Sequence, residues 1–588
     1  MTRRFSSLGV DDLGRHAKSH PEDVPEIIAE LKNYRTTRAA RRLLSELESS
    51  KQAVPKKSAA KKKNDKKKQV IQKDLFGRDK PTTTSQKRAR PGNWRTLFDY
   101  PATDEQEAAV DLFVSKQSMK ISAFAGAGKT STLKFLAATA PKERGLYLAF
   151  NKSIASEAKQ SFRGNVECRT THSAALRDVR PRFRLSRDKW FNSINAKQLA
   201  SAWELEDYRA GPITLKPDMI AYLTLVAVRQ FCQSEHEQLA PEHVQLLGRA
   251  LGLPAERKVE LNNYIFSQAE VLWDQMLSED SDIPLGHDGY LKLWSLMEPK
   301  FAFDYVLLDE AQDTNPAVLS VLKNQDCQVI YVGDKHQQIY EWRGAVNAMA
   351  EIDAQHEAHL TTSFRFGPAL AAEANRVLHA MGETQKLKGF GKVQTDIQSF
   401  GDARTVLTRS NAMLFKEVLE ALNDERRPHV VGGSDQMKSL LRDVDALQNG
   451  KPGAQPEFFG FYNWNEVLEF VEEPEGEALL PFVTLVQSVG RGALWRAVLS
   501  CIDDEADADL VISTAHKAKG REWDSVRIAE DFSLSSTKNE RIPYSEARLF
   551  YVAMTRAKRR LVVDPVLVSA FSGNLAPDKD VNAPEDPA

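Results

Sequence analysis

The sequence predicts an α/β protein whose chain forms two halves, each built on a parallel β-sheet. From about residue 94 onward, short apolar runs that end in polar residues alternate with stretches of helical periodicity. Such runs are typical of strands buried on both faces, and strand–helix alternation is typical of parallel sheets covered by helices. The runs form two groups, at about 119–332 and 404–564: MKISAF, GLYLAF, FDYVLL and CQVIYV, then ARTVLT, ADLVIS, SVRIAE and RRLVVD.

The same pattern predicts how the chain is divided. Helical insertions are expected at about 174–298 in the first half and, in reduced form, at about 440–508 in the second. Residues 51–70 hold nine lysines against one acid, which favours either a solvated spacer or non-specific contact with phosphates. The predicted regions are a small helical N-terminal region (1–50), a lysine-rich disordered linker (51–93), the first half (94–360), the second half (361–568) and a disordered tail (569–588).

Composition argues against several classes of protein. With 80 Lys+Arg against 81 Asp+Glu in 588 residues, the net charge of -1 gives no sign of a polyanionic partner. The four cysteines lie far apart, without a CxxC or Cys/His cluster, so we expect neither a disulfide framework nor a zinc site. No apolar run is typical of a signal peptide or a membrane span. We therefore expect a soluble cytoplasmic protein with no membrane partner.

A glycine-rich loop, AFAGAGKT, follows the first apolar run and precedes a helical stretch. Glycines let backbone amides turn inward around phosphates, the lysine reaches the β- and γ-phosphates, and the threonine hydroxyl holds Mg²⁺. The first position is alanine where the general pattern has glycine. The predicted ATP-binding residues of this loop are Ala123, Phe124, Ala125, Gly126, Ala127, Gly128, Lys129 and Thr130.

Two carboxylates end another apolar run, YVLLDEAQD at 305–313. At the carboxyl end of a parallel strand they would face the phosphate loop. Asp309 is expected to hold Mg²⁺, directly or through water, and Glu310 to orient and deprotonate the water that attacks the γ-phosphate. These two sites alone do not exclude a kinase.

Six segments, in their order and spacing, resemble the UvrD/Rep family of superfamily 1 DNA helicases over about 94–565. The resemblance implies two RecA-like P-loop lobes that use ATP and Mg²⁺ to act on single-stranded DNA and on junctions of single- and double-stranded DNA. Within the family, LYLAFNKSIASEAKQSF, CRTTHSAAL and STAHKAKGREWDSV most resemble the F-box DNA helicases and their bacterial relatives. The six segments are TDEQEAAV, DEAQDTNP, VGDKHQQIYEWRGA, TTSFRFGPAL, ISTAHKAKGREWDSV and EARLFYVAMTRAKRRL.

The resemblance assigns catalytic roles to residues of both lobes. Arg365 and Arg556 would reach the γ-phosphate from the second lobe as arginine fingers, opposite Glu310. Gln337 would sense the γ-phosphate and couple its presence to DNA. The alternative for each arginine is a surface ion pair.

It also assigns contacts with the nucleoside. Gln106 would read the adenine edge with its amide, and Glu522 would contact the ribose side. Phe364 stands where the family usually has tyrosine, so a ring face for stacking on the base is kept and the hydroxyl is lost.

A strand of DNA in a groove between the lobes would need flat rings and polar donors, because stacking tolerates every base. Trp342 is the first candidate ring, and Phe150, Thr171, His172 and His516 are further candidates. The alternatives are core packing for the tryptophan and structural hydrogen bonds for the histidines. The family moves 3′ to 5′; the spacing of the motifs does not indicate polarity.

A short peptide after the lysine run, QKDLF at 72–76, resembles the pentapeptide that binds the bacterial sliding clamp. It matches at Gln72, Asp74, Leu75 and Phe76. Binding of such a short apolar peptide, within a disordered segment, to the clamp would raise the local concentration of the protein on DNA. The alternative is that Leu75 and Phe76 pack on the body of the protein.

Three functions fit these observations. The first is an ATP-dependent 3′–5′ DNA helicase in repair, recombination or replication, associated with the nucleoid. The second is a translocase that removes recombinase or other proteins from single strands with little unwinding, an interpretation favoured by the reduced second insertion. The third is a recruiting module whose ATPase only switches its state, although every catalytic motif residue is present.

Overall fold

The computed structural model describes residues 101–578, apart from 212, 247–252, 340–347, 454, 459–460, 473–475, 533–540 and 574, and isolated positions before residue 101. The linker at 51–93, with its clamp-like peptide, lies outside the described residues, as does almost all of the predicted helical region at 1–50. The last ten residues of the predicted tail also lie outside them.

The strands follow one another along the chain in two groups, with a few short additional pairs. In chain order they are β1 (Met119–Ala123), β2 (Gly145–Ala149), β3 (Val166–Thr170), β4 (Tyr208–Ala210), β5 (Ile213–Leu215), β6 (Tyr305–Leu308), β7 (Gln328–Gly333), β8 (His356–Leu360), β9 (Thr362–Ser363), β10 (Lys388–Gly389), β11 (Asp396–Gln398), β12 (Thr405–Thr408), β13 (Pro428–Val430), β14 (Leu510–Thr514), β15 (Trp523–Ile528), β16 (Ile542–Pro543), β17 (Ala557–Val562) and β18 (Leu575–Ala576).

The α-helices fill the connections between these strands. In chain order they are α1 (Asp104–Val114), α2 (Lys129–Thr139), α3 (Lys152–Ser161), α4 (Thr171–Val179), α5 (Arg187–Phe191), α6 (Ala196–Ala202), α7 (Pro217–Gln233), α8 (Ala255–Leu277), α9 (Gly286–Leu296), α10 (Pro316–Lys323), α11 (Ala348–Glu351), α12 (Pro368–Ala380), α13 (Asn411–Asn423), α14 (Asp435–Gln448), α15 (Trp464–Phe470), α16 (Leu480–Val489), α17 (Arg491–Leu499), α18 (Ala515–Ala518), α19 (Tyr544–Met554) and α20 (Pro565–Gly573).

Two six-stranded parallel sheets form the framework. The first has the order β3-β2-β6-β7-β1-β8, and the second has the order β11-β17-β15-β12-β14-β13. Every neighbouring pair within each sheet is parallel. The predicted α/β class is confirmed, and two such sheets are the framework expected of two RecA-like lobes.

Each sheet carries a group of helices in the region where an insertion was predicted. Helices α4 to α9 and the antiparallel β4–β5 hairpin share one hydrophobic core with β2, β6 and β7. Helices α13 to α17 share another core with β12 and β14. Helix α13 precedes the predicted insertion at about 440–508, and α14 to α17 lie in or near it.

Helix α19 is buried along most of its length, because most of its residues are apolar. The side chains from Ala547 to Met554 are all buried, and apart from Arg548 they lie in the hydrophobic core that contains strands of both sheets. The buried Arg548 guanidinium is satisfied by the Gln338 carbonyl oxygen and the Asp578 carboxylate. Helix α19 therefore lies at the seam between the two lobes. Within the described residues, no helix combines the length and the apolar character needed to cross a membrane.

All eight strands predicted from apolar runs are present, and within the two six-stranded sheets the strands that the sequence did not predict are the four at the edges. These are β3, β8, β11 and β13. In β3, β8 and β11 many side chains are half-buried or exposed, and β13 is only three residues long and begins with proline. Edge strands lack the continuous apolar run of an interior strand, so the sequence gives them no comparable signal.

Candidate functional site

The phosphate loop connects β1 with α2 in a conformation that requires its glycines. Gly126 and Gly128 have φ values of +71° and +78°, in the left-handed region that favours glycine. A Cβ added to Gly126 would lie 2.6 Å from the Ser363 hydroxyl oxygen, so there is no room for a side chain. The Phe364 amide donates to the Gly126 carbonyl oxygen at 2.9 Å. The loop is therefore packed against the segment that leads into the second lobe.

Lys129 begins α2 and points at the carboxylate that follows β6. Its ammonium nitrogen lies 2.9 Å from the Glu310 carboxylate, which also accepts from the Gln312 amide at 2.6 Å. Burial alone would raise the pKa of Glu310, but the charges of Lys129 and Lys519 outweigh it and lower that pKa. Glu310 is thus an ionised carboxylate at neutral pH, as a general base must be.

Asp309, the first residue after β6, is buried and held by two donors. The Tyr147 hydroxyl donates to one carboxylate oxygen at 2.7 Å, and the Glu310 amide donates to the other at 3.0 Å. Burial and the neighbouring Glu310 charge raise the pKa of Asp309. Hard divalent cations such as Mg²⁺ prefer oxygen ligands, and Asp309 with Thr130 supplies such oxygens beside the loop. A cation there would also relieve the unfavourable carboxylate pair.

A lysine of the second lobe enters the first lobe beside these carboxylates. Lys519 follows α18, and its ammonium group donates to both carboxylate oxygens of Asp313, at 2.8 and 2.7 Å. It also donates to the Gln337 carbonyl oxygen. Both side chains are buried, and burial raises the pKa of Asp313 to about 6 although Lys519 opposes that shift. Both residues lie within motif segments, but the sequence predicted no role for either.

A hydrogen-bonded chain runs from Arg556 to the phosphate loop. The Arg556 guanidinium donates to the Gln337 side-chain oxygen at 3.2 Å, and the Gln337 amide donates to Asp334 at 2.7 Å. The Tyr551 hydroxyl, from α19, donates to the same Asp334 carboxylate oxygen at 3.2 Å and accepts from the Ala125 amide at 3.2 Å. A predicted sensor and a predicted arginine finger are thus in direct contact.

Arg556 is 1% exposed, and its burial has an electrostatic consequence. Burial and the nearby charge of Arg365 lower the pKa of Arg556 to about 9. The surroundings of the Arg556 guanidinium thus hold too little negative charge to offset its own positive charge. An anion that contacts it would be bound strongly, because little water competes.

Arg365 and Glu522, predicted to contact different parts of the nucleotide, are paired with each other. The Arg365 guanidinium donates to the Glu522 carboxylate at 2.7 Å and to the Thr555 carbonyl oxygen at 3.0 Å. The prediction of an arginine near the phosphate loop fits this position, because the Arg365 Cβ would be 2.8 Å from a Cβ on Gly126.

The two residues predicted to hold the base, Gln106 and Phe364, lie beside Gly128 of the phosphate loop. Gln106 is 3% exposed, accepts from the Thr103 amide at 3.1 Å and donates to the Thr132 hydroxyl at 3.2 Å. These bonds fix its amide in a capping box at the start of α1. Phe364 is 38% exposed, and its ring lies 3.4 Å from the position of a Cβ on Gly128.

Part of this set of site residues lines one cavity of about 480 Å³, whereas Gln106, Phe364 and Glu522, predicted to contact the nucleoside, are not among its lining residues. Its walls include phosphate-loop residues, the carboxylates after β6 and cations of the second lobe. A cavity of this size can hold a nucleoside triphosphate such as ATP. The charged or polar residues of the lining include Lys129, Thr130, Asp309, Glu310, Gln337, Arg365, Lys519 and Arg556.

The residues predicted to contact DNA follow the carboxyl ends of strands, where helix caps hold the backbone. Phe150 follows β2, is 44% exposed and lines the same cavity. Thr171 begins α4 after β3, and His516 lies in α18 after β14. His172 is half-buried, with its ring centroid 6.0 Å from that of Tyr290, and burial lowers its pKa. Trp342 lies outside the described residues.

The sequence alone does not indicate a role for Tyr551, because its hydrogen bond to the phosphate loop joins segments that are far apart in the chain. The partners Ala125 and Tyr551 are 426 positions apart. The same holds for Lys519 and Asp313, which are 206 positions apart. The only local signal was that both Lys519 and Tyr551 lie within the motif segments, next to residues with assigned roles.

Two family models match the chain. Residues 102–356 match the UvrD/REP helicase N-terminal domain, and residues 461–565 match the UvrD-like helicase C-terminal domain. The first match contains five strands of the first sheet and ends at the start of β8, and the second match contains β14, β15 and β17 of the second sheet. The phosphate loop, the Asp309–Glu310 pair and Gln337 lie in the first match, and Lys519 and Arg556 lie in the second.

Similar curated proteins carry helicase names. The chain is 30% identical to "F-box DNA helicase 1" of Gallus gallus over 528 residues, 82% of this chain and 51% of the relative. It is 30% identical to "F-box DNA helicase protein 1" of Schizosaccharomyces pombe over 522 residues, 80% of this chain and 58% of the relative. A "Probable DNA helicase" of Mycoplasma pneumoniae is 27% identical over 291 residues, 47% of this chain and 46% of the relative. The chain thus spans little more than half the length of the first two relatives.

We expect replacement of Lys519 by methionine to lower the free energy of unfolding by about 3 to 5 kcal/mol, because Asp313 would stay buried without its cation. The double variant Lys519→Met/Asp313→Asn should recover part of this loss, since it removes both charges. Urea denaturation of the full chain at neutral pH measures both values.

The matched control is Lys416→Met, which removes an ion pair with Glu530 whose side chains are 45% and 73% exposed. Its effect should stay within about 0.5 kcal/mol, as is usual for exposed pairs. Equal losses for Lys416→Met and Lys519→Met would contradict a special role for the buried pair.

Proposed function

The chain belongs to the UvrD/Rep family of superfamily 1 helicases, and on that premise we propose that it is an ATP-dependent DNA helicase. It uses ATP with Mg²⁺ and moves 3′ to 5′ on single-stranded DNA and at junctions with duplex. The observation that carries the proposal is the cavity between the sheets, where Lys519, Arg365 and Arg556 of the second lobe line the same space as the phosphate loop.

ATP binding exchanges ion-pair partners inside this cavity. Lys129 contacts Glu310 at 2.9 Å in the structure. The β- and γ-phosphates take the place of that carboxylate, so Lys129 changes partner and Glu310 is released toward the attacking water. Thr130 and Asp309 would hold Mg²⁺, which neutralises charge on the β- and γ-oxygens when bound.

Hydrolysis uses the released carboxylate and the two arginines. Glu310, whose pKa is lowered by Lys129 and Lys519 against the effect of burial, is ionised and accepts the proton of the water. Arg556 and Arg365 stabilise the charge that spreads over the transferred phosphoryl group. For Arg365 this requires release from Glu522, which then turns to the ribose side. Gln106 and Phe364 hold the base.

The γ-phosphate is linked to DNA through Gln337. Its side chain contacts Arg556, its carbonyl oxygen contacts Lys519, and Trp342 follows five positions later. A change at the phosphate thus reaches the candidate stacking ring along a short stretch of chain. When the γ-phosphate is lost, the two lobes move apart and their contacts with the DNA strand weaken. Alternation between tight and weak contacts moves the protein along the strand in steps.

The candidate contacts with DNA are Trp342, Phe150, Thr171, His172 and His516. The described members of this set lie at or near the carboxyl ends of β2, β3 and β14. That position supports a path across the same edge of both sheets that carries the ATP cavity. The setting would be repair, recombination or replication, and a clamp contact through residues 72–76 stays a prediction.

One observation favours a second candidate, a translocase that clears proteins from single strands and unwinds poorly. The insertion of the second lobe is a compact group, α14 to α17, in a span of 65 residues between Asp435 and Leu499. A group this small offers little surface with which to separate a duplex.

Strand separation distinguishes the two candidates. We expect ATP-dependent unwinding of a duplex with a 3′ single-stranded tail, none from a matched 5′ tail, and loss of activity in Lys129→Ala, which cannot hold the phosphates. The measurement is a gel assay with both substrates and both proteins. DNA-stimulated ATP hydrolysis without strand separation would support the translocase, and unwinding from the 5′ tail would contradict the assigned polarity.

We expect Tyr551→Phe to lower kcat/KM for ATP about tenfold, because the Ala125 amide and Asp334 each lose a buried partner worth about 1 to 3 kcal/mol. The ring is kept, so the packing of α19 should not change. Tyr544→Phe, at the half-buried start of the same helix, is the matched control and should stay within about twofold. A rate for Tyr551→Phe equal to that of the control would remove Tyr551 from the coupling chain.

A further inference from the structure

Three metal-ligand side chains converge in the helical insertion of the first lobe, outside the ATP cavity. The chain leaves α7 at Gln233 and returns through a short turn that ends at the 3-10 helix Pro241–His243. Within that turn, His236, Glu242 and His243 bring one ligand atom each to within 4.8 Å of one another.

The separations of these atoms match those around a tetrahedral metal. The His236 Nδ1 atom lies 3.1 Å from the His243 Nε2 atom and 3.1 Å from the Glu242 Oε1 atom. Two Zn–N bonds of about 2.0 to 2.1 Å that meet near the tetrahedral angle hold their nitrogens about 3.4 Å apart. An ion therefore requires shifts of only a few tenths of an ångström between the two rings.

His243 is oriented as metal-bound histidines usually are. It is 5% exposed, and its Nδ1 atom lies 3.0 Å from the Ala240 carbonyl oxygen. The Ala240 amide also donates to this Nδ1 atom at 2.9 Å, so metal binding would place the proton on Nδ1, where the Ala240 carbonyl accepts it, and leave the Nε2 lone pair for the metal. The Ser234 hydroxyl oxygen lies 3.2 Å from the same Nε2 atom but already donates to the Phe231 carbonyl oxygen at 2.9 Å, so a water molecule would take the fourth position.

The surrounding charges favour a dication although a lysine is nearby. Lys292, on α9, donates to the Ser234 and His236 carbonyl oxygens and thereby holds the turn against α9. The carboxylates of Glu237 and Glu235 lie near this ammonium group. With Glu242, three carboxylates face one ammonium group.

We propose that His236, Glu242 and His243 bind one Zn²⁺ ion that fastens the turn after α7 to the 3-10 helix. Two imidazole nitrogens select a transition metal over Mg²⁺ or Ca²⁺, which prefer oxygen. The expectation of no zinc rested on the cysteines, and this His-x5-Glu-His spacing contains none. The competing arrangement is a metal-free pair of histidines that share a proton across 3.1 Å.

Cobalt titration of the full chain distinguishes these arrangements. The protein is prepared without a histidine tag, treated with a chelator and kept free of nucleotide, and Co²⁺ is added while the visible d–d absorption is recorded. We expect one Co²⁺ per chain with the intense bands of tetrahedral coordination, and stoichiometric Zn²⁺ should abolish them.

The exposed ligand provides the decisive variant. His236 has a side chain that is 47% exposed, so His236→Asn should keep the far-UV circular dichroism of the wild type while its Co²⁺ affinity falls at least about tenfold. His379→Asn, at an exposed position of α12, is the matched control and should bind as the wild type does. No cobalt band in the wild type, or equal affinity in His236→Asn, would overturn the proposal.

Discussion

The buried ion pair between Lys519 and Asp313 joins the two lobes at the point where their sheets present carboxyl ends. A charge buried without a partner is costly, so each of these residues holds the other in place across the seam. Lys519 also contacts the Gln337 backbone, and Arg556 contacts the Gln337 side chain. Gln337 is thus attached to the second lobe at two points, which supports its proposed role in coupling the two lobes.

The charged groups of the site are already paired with one another in the structure. Lys129 is paired with Glu310 and Arg365 with Glu522. In the proposed mechanism an incoming triphosphate replaces a carboxylate in each pair, so ATP binding would exchange partners and would not first strip water from free cations. Such an exchange lowers the desolvation cost of binding and releases Glu310 only when the phosphates are present. Burial of α19 and of the Tyr551 hydroxyl keeps the geometry of the loop fixed meanwhile.

The sequence predicted those parts of the molecule that leave a local signal. Interior strands have continuous apolar runs and were all found, whereas β3, β8, β11 and β13 lie at sheet edges and were not. The phosphate loop and the Asp309–Glu310 pair were found because their chemistry depends on adjacent residues. The contacts of Tyr551 with Ala125 and Asp334 could not be found, because they depend on how α19 packs between the sheets. The pairing of Arg365 with Glu522 could not be found either, because these residues are 157 positions apart in the chain.

Hydrolysis of ATP by Arg365→Ala in a single turnover tests most directly whether the two lobes share one catalytic site. We expect a rate lowered by about 10³-fold or more, because a phosphate-neutralising guanidinium is lost. The dissociation constant for ATP should change by less than about tenfold, since Lys129 and the loop remain. Arg376→Ala, at an exposed position of α12, is the matched control. A hydrolysis rate for Arg365→Ala equal to that of the control would contradict a catalytic site built by both lobes.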